Sequence, residues 1–344
     1  MNIQELETIA KTMVVPGKGI LAMDESTPTI TKRLKAVGID GSDANRLGYR
    51  ELIVTAKGLG DYISGAILFD ETIRQKLSDG RSVVEALNQQ GVMPGIKVDA
   101  GAKPLAFHSN ETVTEGLDKL RERLAEYRDL GARFCKWRAV IAIGDGIPTR
   151  ACVEANAHAL ARYAALCQEA ALVPIVEPEV LIDGDHTIER CFEVTIETQR
   201  TVFEQLYRQG VVFEGMILKP SMVISGMDCK RQAGVEEVAE RTLQCLRATV
   251  PAAVPGVAFL SGGQSDEAAT MHLNRMNIMA KDLNLPWRLS FSYARAIQQA
   301  ALEAWQGKPA NIAMAQAVLL HRARCNSAAT LGRYNKSIEQ ELAA

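Results

Sequence analysis

Charged side chains stand at the ends of several apolar runs that are otherwise suited to a protein interior. The run VVFEGMILK ends on Lys219, and the run LVPIVEPEV carries Glu177 and Glu179. A buried lysine can be an ion-pair member, a phosphate ligand or, when neutral, a nucleophile that forms a Schiff base. The nucleophile needs a pKa of about 7–8 in place of ~10.4, and apolar walls and a second cation both favour that shift.

The same placement recurs along the chain. Each member of the set lies near the C-terminal end of a predicted strand: Asp24, Asp70, Lys97, Asp99, Lys136, Arg138, Glu177, Glu179, Lys219 and Ser261. A single charge at a strand end can simply meet solvent. To bury a whole set of charges among apolar residues costs free energy unless the charges are paired with one another or bind a ligand. We therefore expect one pocket in which carboxylates alternate with lysines.

Two further segments carry groups that suit a phosphate. FLSGGQS offers the hydroxyl of Ser261 and the backbone N–H groups of Gly262 and Gly263, which a ligand can approach closely. FSYAR supplies Arg295, whose guanidinium can hold a phosphate through two parallel hydrogen bonds. A tight glycine turn beside a surface arginine is the alternative interpretation.

Eight strand-like runs alternate with longer helical patterns such as 115–131 and 186–210. The runs are 19–25, 63–70, 93–99, 132–140, 172–180, 211–219, 254–263 and 286–295. Eight such units predict a single (β/α)8 TIM barrel of class α/β, whose active site lies at the C-terminal ends of the strands. A doubly wound open sheet competes, but no GxGxxG turn follows the first strand. We expect one domain over 1–344, with an N-terminal helical extension at about 1–15 and a short tail at about 330–344.

Composition narrows the function classes. The chain has 344 residues, 47% of them hydrophobic and 23% charged, with a net charge of −2. No basic run suggests nucleic acid, and no apolar stretch approaches the ~18 residues of a membrane span. Seven cysteines without a CxxC pair, and an N-terminus unlike a secretory signal, predict a cytoplasmic protein with reduced thiols. The histidines show no HxH or HExxH spacing, so neither a metal nor a cofactor is expected.

Seven segments, taken together and in order, closely resemble the class I fructose-1,6-bisphosphate aldolases. They are GILAMDES, GIKVD, KWR, VEPE, LKPSMV, FLSGGQS and FSYAR, and the resemblance covers about residues 10–335. It implies a metal-independent lyase that reversibly cleaves fructose 1,6-bisphosphate to dihydroxyacetone phosphate and glyceraldehyde 3-phosphate. The implied settings are glycolysis, gluconeogenesis and the Calvin cycle, with sedoheptulose 1,7-bisphosphate as a second substrate and a homotetramer as the assembly.

The resemblance also implies catalytic roles. Lys219 matches the Schiff-base lysine, and Glu177 matches the general acid/base that dehydrates the carbinolamine, with Glu179 as its supporting neighbour. Asp24 matches the base that takes the C4 hydroxyl proton, and Lys136 the cation beside it.

Further positions match substrate-binding residues of the family. Those of the C1-phosphate site are Ser261, Gly262, Gly263 and Arg295. Arg138 matches the arginine of KWR, the motif that also contains Lys136. Thr29, Arg33 and Lys97 lie where the family contacts the other phosphate.

The sequence departs from the family in two places. Ala294 replaces the glycine of SYGR, which would weaken phosphate binding if that position needs a positive φ. Many members also end in a tyrosine on a mobile tail, whereas the last tyrosine here is Tyr334. Our hypothesis is that water or Glu177 protonates the enamine instead.

Two other functions compete with catalysis by this mechanism. One is a scaffold role on an inactive aldolase body, which the intact set Asp24, Lys136, Glu177 and Lys219 disfavours. The other is a pyridoxal-phosphate barrel, for which no partner of the pyridine nitrogen is identifiable.

Overall fold

The strands of the barrel close on themselves. The structure is a computed structural model that describes residues 2–341, and its barrel order is β1-β10-β9-β8-β7-β6-β3-β2, with every neighbouring pair parallel. The strands in chain order are β1 (Gly19–Met23), β2 (Ile63–Leu68), β3 (Met93–Lys97), β4 (Ala102–Pro104), β5 (Thr112–Thr114), β6 (Phe134–Ile141), β7 (Val173–Val180), β8 (Ile217–Leu218), β9 (Gly256–Phe259) and β10 (Arg288–Tyr293). Strands β4 and β5 form a separate antiparallel hairpin. Closure confirms the (β/α)8 prediction and excludes the open sheet.

Helices connect the barrel strands and surround them. They are α1 (Ile3–Met13), α2 (Thr27–Ala36), α3 (Asp43–Val54), α4 (Leu59–Tyr62), α5 (Asp70–Ile73), α6 (Val83–Gln89), α7 (Leu120–Asp129), α8 (Arg150–Glu169), α9 (Ile188–Arg208), α10 (Val235–Thr249), α11 (Asp266–Leu283), α12 (Arg295–Trp305), α13 (Ile312–Thr330) and α14 (Lys336–Gln340). Short 3₁₀ turns lie at Phe213–Gly215 and Pro309–Asn311. None of the helices within residues 2–341 is long and apolar enough to cross a membrane.

The interior of the barrel is a packed apolar cluster. Its members come from alternate positions of the strands and from α1: Leu6, Ala10, Met13, Val14, Ile20, Ala22, Ile67, Phe134, Val173, Ile175, Ile217 and Ala258. Helix α1 contacts β2 and β7 and contributes three of these buried side chains. We infer that α1 closes the N-terminal end of the barrel, which leaves the C-terminal ends of the strands to form a site.

The ring of Phe134 restricts which residues fit at two positions, one on β2 and one on β3. A Cβ built on Gly95 would lie 2.2 Å from the ring of Phe134, and one built on Gly65 would lie 2.9 Å from it. Because only glycine leaves room for this ring, β2 and β3 carry glycine at inward positions despite its low strand propensity.

Several predicted boundaries need correction. The run 211–219 contains a 3₁₀ turn and pairs as a strand only at Ile217–Leu218, although the backbone N–H of Lys219 still donates to Val176 at 2.8 Å. The helix predicted over 115–131 covers Leu120–Asp129, because the β4–β5 hairpin takes up the chain before it. The single-domain division with its extension and tail stays a prediction, and residues 1 and 342–344 lie outside the described residues.

Candidate active site

A polar pocket lies at the C-terminal ends of the barrel strands. Its lining comprises Ala22, Asp24, Glu25, Ser26, Thr29, Arg33, Lys97, Lys136, Arg138, Glu177, Glu179, Lys219, Leu260, Ser261, Gly262, Ser292, Ala294 and Arg295. Every residue given a role by the family resemblance lines this pocket except Gly263, whereas Asp70 and Asp99 of the strand-end set do not line it. A Cβ built on Gly263 would lie 3.8 Å from Nη2 of Arg295, so this glycine is adjacent to the pocket.

Strand periodicity explains why these side chains converge. On β7 the inward series begins with Val173 and Ile175, which belong to the interior cluster, and continues with Glu177 and Glu179. Beyond β8, Lys219 continues the series begun by Ile217. Since side chains alternate along a strand, each strand supplies apolar layers below and a polar layer at the mouth. The site is therefore the top layer of the same packing that forms the core.

Lys219 is almost completely buried at this mouth. Its Nζ lies 3.3 Å from Oε1 of Glu177, and its side chain is 3% exposed. Burial lowers the pKa of Lys219; Glu177 opposes this, while the positive charge of Lys136 adds to it. The net direction is downward, which increases the neutral, nucleophilic fraction of the amine.

Lys136 links two carboxylates. Its Nζ lies 3.0 Å from Oδ2 of Asp24 and 3.0 Å from Oε2 of Glu177. Only the contact with Asp24 has hydrogen-bond geometry, so Oε2 of Glu177 has no hydrogen-bond partner among residues 2–341. An unpartnered buried carboxylate oxygen is available to exchange a proton with a bound molecule.

The same contacts fix the charge states of this pair. Burial alone would raise the pKa of Asp24, but Lys136 and Lys219 outweigh it and lower that pKa to about 2. Burial alone would lower the pKa of Lys136, but Asp24 and Glu177 raise it well above its ordinary value. Asp24 is therefore a carboxylate and Lys136 an ammonium at neutral pH.

A second layer of ion pairs holds the cations at the rim. Arg138 pairs with Glu179 through Nε, and its backbone N–H donates to Asp99 at 3.2 Å. Nζ of Lys97 lies 2.7 Å from Oδ1 of Asp99. Asp99 does not line the pocket. It contacts both Lys97 of β3 and Arg138 of β6, so it supports two pocket cations and does not contact the pocket itself.

On the opposite side of the mouth, α2 presents a hydroxyl and a guanidinium. Arg33 pairs with the buried carboxylate of Glu25, and the hydroxyls of Ser26 and Thr29 lie 3.0 Å apart. Burial raises the pKa of Glu25, and Arg33 opposes that rise. A phosphate that arrives here must compete with Glu25 for Arg33.

Arg295 differs from the other cations of the pocket. It begins α12, directly after β10, is exposed, and has no ion-pair partner in the part of the chain that the structure describes. Gly262 and Gly263 have φ of +52° and +88°, so the turn after β9 requires a conformation that glycine adopts without strain. An unpaired guanidinium beside glycine N–H groups and a helix N-terminus suits a phosphate.

Ala294 has φ −103°, so this position does not require a left-handed backbone. The strain that would have followed from a positive φ is absent at Ala294.

Asp70 was wrongly placed by the sequence. It begins α5, where its carboxylate accepts from Arg74 and from the hydroxyl of Tyr127. On β2 the glycine that faces Phe134 is Gly65, and Ile67 lies in the interior cluster. Odd-numbered positions therefore face inward, and Asp70 falls on the outer side.

Sequence reasoning also missed residues of the pocket. Ser292 is 1% exposed and its hydroxyl has no partner among the described residues. The period of two along FSYAR was the available signal, since Ser292 and Ala294 share a face. Glu25 and Ser26 belong to the motif GILAMDES and line the pocket, but no role was predicted for them from the sequence. Leu260 and Ala22 also line the pocket, and nothing in the sequence distinguishes them from other apolar residues.

The lining has an excess of positive charge although the chain as a whole is negative. Six lysine and arginine side chains face four carboxylates, against a net charge of −2 for the protein. A multiply charged anion would balance this excess.

Comparison with known proteins gives a consistent result. The sequence model of the family described as Fructose-bisphosphate aldolase class-I matches residues 5–344. A protein of Xanthomonas campestris pv. campestris named "Probable fructose-bisphosphate aldolase class 1" is 60% identical over 335 residues, 97% of this chain and 99% of that one. "Fructose-bisphosphate aldolase 1, chloroplastic" of Chlamydomonas reinhardtii is 51% identical and covers 99% of this chain and 89% of its own.

A solved structure agrees with these sequences. Fructose-bisphosphate aldolase from Plasmodium falciparum, solved in complex with TRAP and a small-molecule inhibitor, superposes with a TM-score of 0.95 at 48% identity. The match covers 97% of this chain and 96% of that chain.

A (β/α)8 barrel with a buried lysine beside carboxylates at its mouth defines an enzyme of the Schiff-base lyase class. The chain belongs to the class I fructose-bisphosphate aldolase family. Its reaction is that of the family: metal-independent, reversible cleavage of fructose 1,6-bisphosphate through a lysine Schiff base. The predicted family, fold and activity are thus confirmed.

Proposed function

We propose that Lys219 is the amine that carries the substrate in this aldolase. The observation that supports it most directly is the burial of Lys219 3.3 Å from Glu177, with burial and Lys136 lowering its pKa. The neutral amine attacks the C2 ketone of fructose 1,6-bisphosphate and forms a carbinolamine. Glu177 gives a proton to the departing C2 hydroxyl, water leaves, and a protonated imine remains.

Asp24 is the base of the cleavage step. It is a carboxylate at neutral pH because Lys136 and Lys219 hold its pKa at about 2. As the C4 hydroxyl loses its proton to Asp24, the C3–C4 bond breaks, and its electron pair moves into the iminium to form an enamine. Glyceraldehyde 3-phosphate leaves. The enamine takes a proton at C3 from water or Glu177, and hydrolysis frees dihydroxyacetone phosphate.

Lys136 and Glu179 position these reacting groups. Lys136 orients Asp24 and Glu177 because one ammonium contacts both carboxylates at 3.0 Å. The positive charge of Lys136 lowers the pKa of Lys219, and it thereby helps to keep the free amine neutral before the substrate is attacked. Glu179 acts through Arg138, which it holds at the rim of the pocket.

The two phosphates bind at different kinds of cation site. The C1 phosphate is assigned to the unpaired Arg295 and the turn formed by Ser261, Gly262 and Gly263, with Ala294 adjacent. The other phosphate is assigned to Thr29, Arg33, Lys97 and Arg138, whose cations are paired with acids before substrate arrives. The first site is prepared for phosphate, and the second must exchange a protein carboxylate for it. Sedoheptulose 1,7-bisphosphate has the same C1 phosphate end as fructose 1,6-bisphosphate, so we expect it to be a second substrate. Its competition with fructose 1,6-bisphosphate for the site would test this expectation.

A kinetic experiment tests the proposed role of Lys219. We expect the parent protein to cleave fructose 1,6-bisphosphate in the presence of EDTA, and Lys219→Met to lose at least about 10⁴-fold in kcat. Lys230→Met is the matched control, because Lys230 is exposed and outside the pocket lining. Full activity in Lys219→Met, or its loss in the control, would contradict the proposal.

We also propose a cytoplasmic homotetramer. The cytoplasmic assignment is supported by seven cysteines present as free thiols, six of them buried. Assembly is supported by Phe107, which is fully exposed in the β4–β5 hairpin and suits a contact with a second copy. Light scattering on the purified protein measures the subunit number, and Phe107→Ser should lower it if the hairpin is an interface.

A further inference from the structure

A cluster of metal-ligand side chains lies where the C-terminal helix meets α13. His321 and Cys325 are one turn apart on α13, and α14 brings Glu339 beside them. One ligand atom from each residue lies within 4.8 Å of the other two. None of the three lines the catalytic pocket. The cluster is therefore separate from the aldolase reaction.

The separations within the cluster suit a tetrahedral ion. Nε2 of His321 lies 3.6 Å from Sγ of Cys325. Tetrahedral zinc with a Zn–S bond of about 2.3 Å and a Zn–N bond of about 2.0–2.1 Å places these two atoms about 3.5 Å apart. The two α13 ligands thus already stand at the required spacing. We propose that His321, Cys325 and Glu339 form a structural Zn²⁺ site that fastens the C-terminal helix to the barrel.

The surroundings orient the third ligand. The carboxylate of Glu339 pairs with Arg322 and accepts from the hydroxyl of Tyr334 at 2.6 Å. Nη2 of Arg322 in turn donates to Thr270 at 2.9 Å. Carboxylates that bind a metal are commonly held by such partners, and each oxygen keeps a second lone pair for the ion. The positive charge of Arg322 opposes the ion, so a thiolate ligand is needed to offset it.

Binding rearranges two protons. As the Zn–S bond forms, the thiol proton of the buried Cys325 passes to the buffer. Nε2 of His321 contacts the carbonyl oxygen of Glu339 at 3.0 Å and must present its lone pair to the ion. The ring proton then resides on Nδ1, which has no partner in the described part of the chain. The one nitrogen, one sulfur and one oxygen donor select zinc over magnesium or calcium, and a water molecule supplies the fourth ligand of the tetrahedron.

Zinc titration of untagged, EDTA-treated protein against a chromophoric chelator tests this site. We expect one equivalent of Zn²⁺ per chain, bound at least tenfold more tightly than by His321→Asn/Cys325→Ala. The control variant His108→Ala/Cys229→Ser removes the same two chemical groups outside the cluster and should bind like the parent. Equal zinc binding by the cluster variant and the parent would overturn the proposal.

A second readout does not depend on how well the variant folds. Co²⁺ bound to the parent protein should show a sulfur-to-metal charge-transfer band and the strong visible absorption of a tetrahedral site. Zn²⁺ should also slow carboxypeptidase release of the residues that follow Tyr334 several-fold. A cobalt spectrum without the thiolate band means that Cys325 is not a ligand and contradicts the site. Both readouts are independent of aldolase activity, so their failure leaves the proposed function intact.

Discussion

Nζ of Lys219 lies 3.3 Å from Oε1 of Glu177, and the two side chains project into one pocket from the end of β8 and from its neighbour β7. This pairing brings a proton donor within reach of any hydroxyl formed where the amine attacks. Among the carboxylates of the pocket, only Glu177 contacts both Lys136 and Lys219, so we expect its loss to affect catalysis differently from the loss of the others. The consequences can be measured one residue at a time.

Glu177→Gln should lower kcat for fructose 1,6-bisphosphate cleavage by about 10²–10⁴-fold, since an amide cannot protonate the departing hydroxyl. KM should change by less than about threefold, because the phosphate contacts remain. Steady-state kinetics and single-turnover rates of imine formation provide the measurement. Glu179→Gln is the control. Its carboxylate holds Arg138, so we expect the larger effect on KM, and equal kcat losses in the two variants would refute the assignment.

Removal of Lys136 should move the pH dependence of Schiff-base formation. Burial and the charge of Lys136 lower the pKa of Lys219, and the neutral amine reacts, so the rate rises as pH increases through that pKa. Without Lys136 the pKa of Lys219 rises, and the acid limb of the profile should shift to higher pH by about one unit.

The pKa of Asp24 in the parent is about 2, so that carboxylate does not titrate within this limb. Lys136→Met and the parent are compared by the rate of borohydride trapping with dihydroxyacetone phosphate from pH 5 to 9. Lys97→Met controls for a lost cation that is paired with Asp99. An acid limb that stays in place, or moves to lower pH, would disprove the coupling between the two lysines.

Arg295 should contribute more to substrate binding than any change at Ala294. Arg295→Ala removes a charge-assisted contact worth about 1.5–3 kcal/mol, so KM should rise about 10- to 100-fold, and Arg295→Lys should fall between. Ala294→Gly restores the residue typical of the family, but φ is already −103°. KM should therefore stay within about twofold. A tenfold drop in KM for Ala294→Gly would show that the alanine does impair phosphate binding.

Truncation after Ser337 should leave catalysis largely intact. The last tyrosine, Tyr334, donates to Glu339 and does not line the pocket, so the tail described here contributes no group to the reaction. We expect kcat within about threefold of the parent and a free energy of unfolding lower by about 1–3 kcal/mol. The loss arises because buried Arg322 is left without its carboxylate.

The double variant with Arg322→Met should recover part of that stability. A collapse of activity on truncation would instead show that the tail takes part in proton exchange.

The sequence allowed the barrel and most of the pocket to be predicted because both depend on periodicity. Polar residues at positions 136, 177 and 219 continue the inward series of their strands, and this alone places them together. Asp70 was misassigned because its closeness to the end of a strand does not show whether its side chain faces into or out of the barrel.

Other features depend on contacts between distant segments. Nothing local in the chain indicates that Arg33 is held by Glu25 while Arg295 is unpaired, since this follows from how α2 and α12 enter the mouth. The strand before Lys219 proved short because a 3₁₀ turn precedes it, although Glu214 is the only charged residue between positions 211 and 218. The backbone of Ala294 likewise follows from the start of α12 and could not be inferred from the substitution itself.

Borohydride reduction in the presence of dihydroxyacetone phosphate tests the central claim most directly. The reduction converts a lysine imine to a stable secondary amine, which peptide mass spectrometry can assign to one residue. We predict a single adduct at Lys219, formed in the presence of EDTA and absent from Lys219→Met. An adduct at another lysine, or none in active protein, would contradict the account.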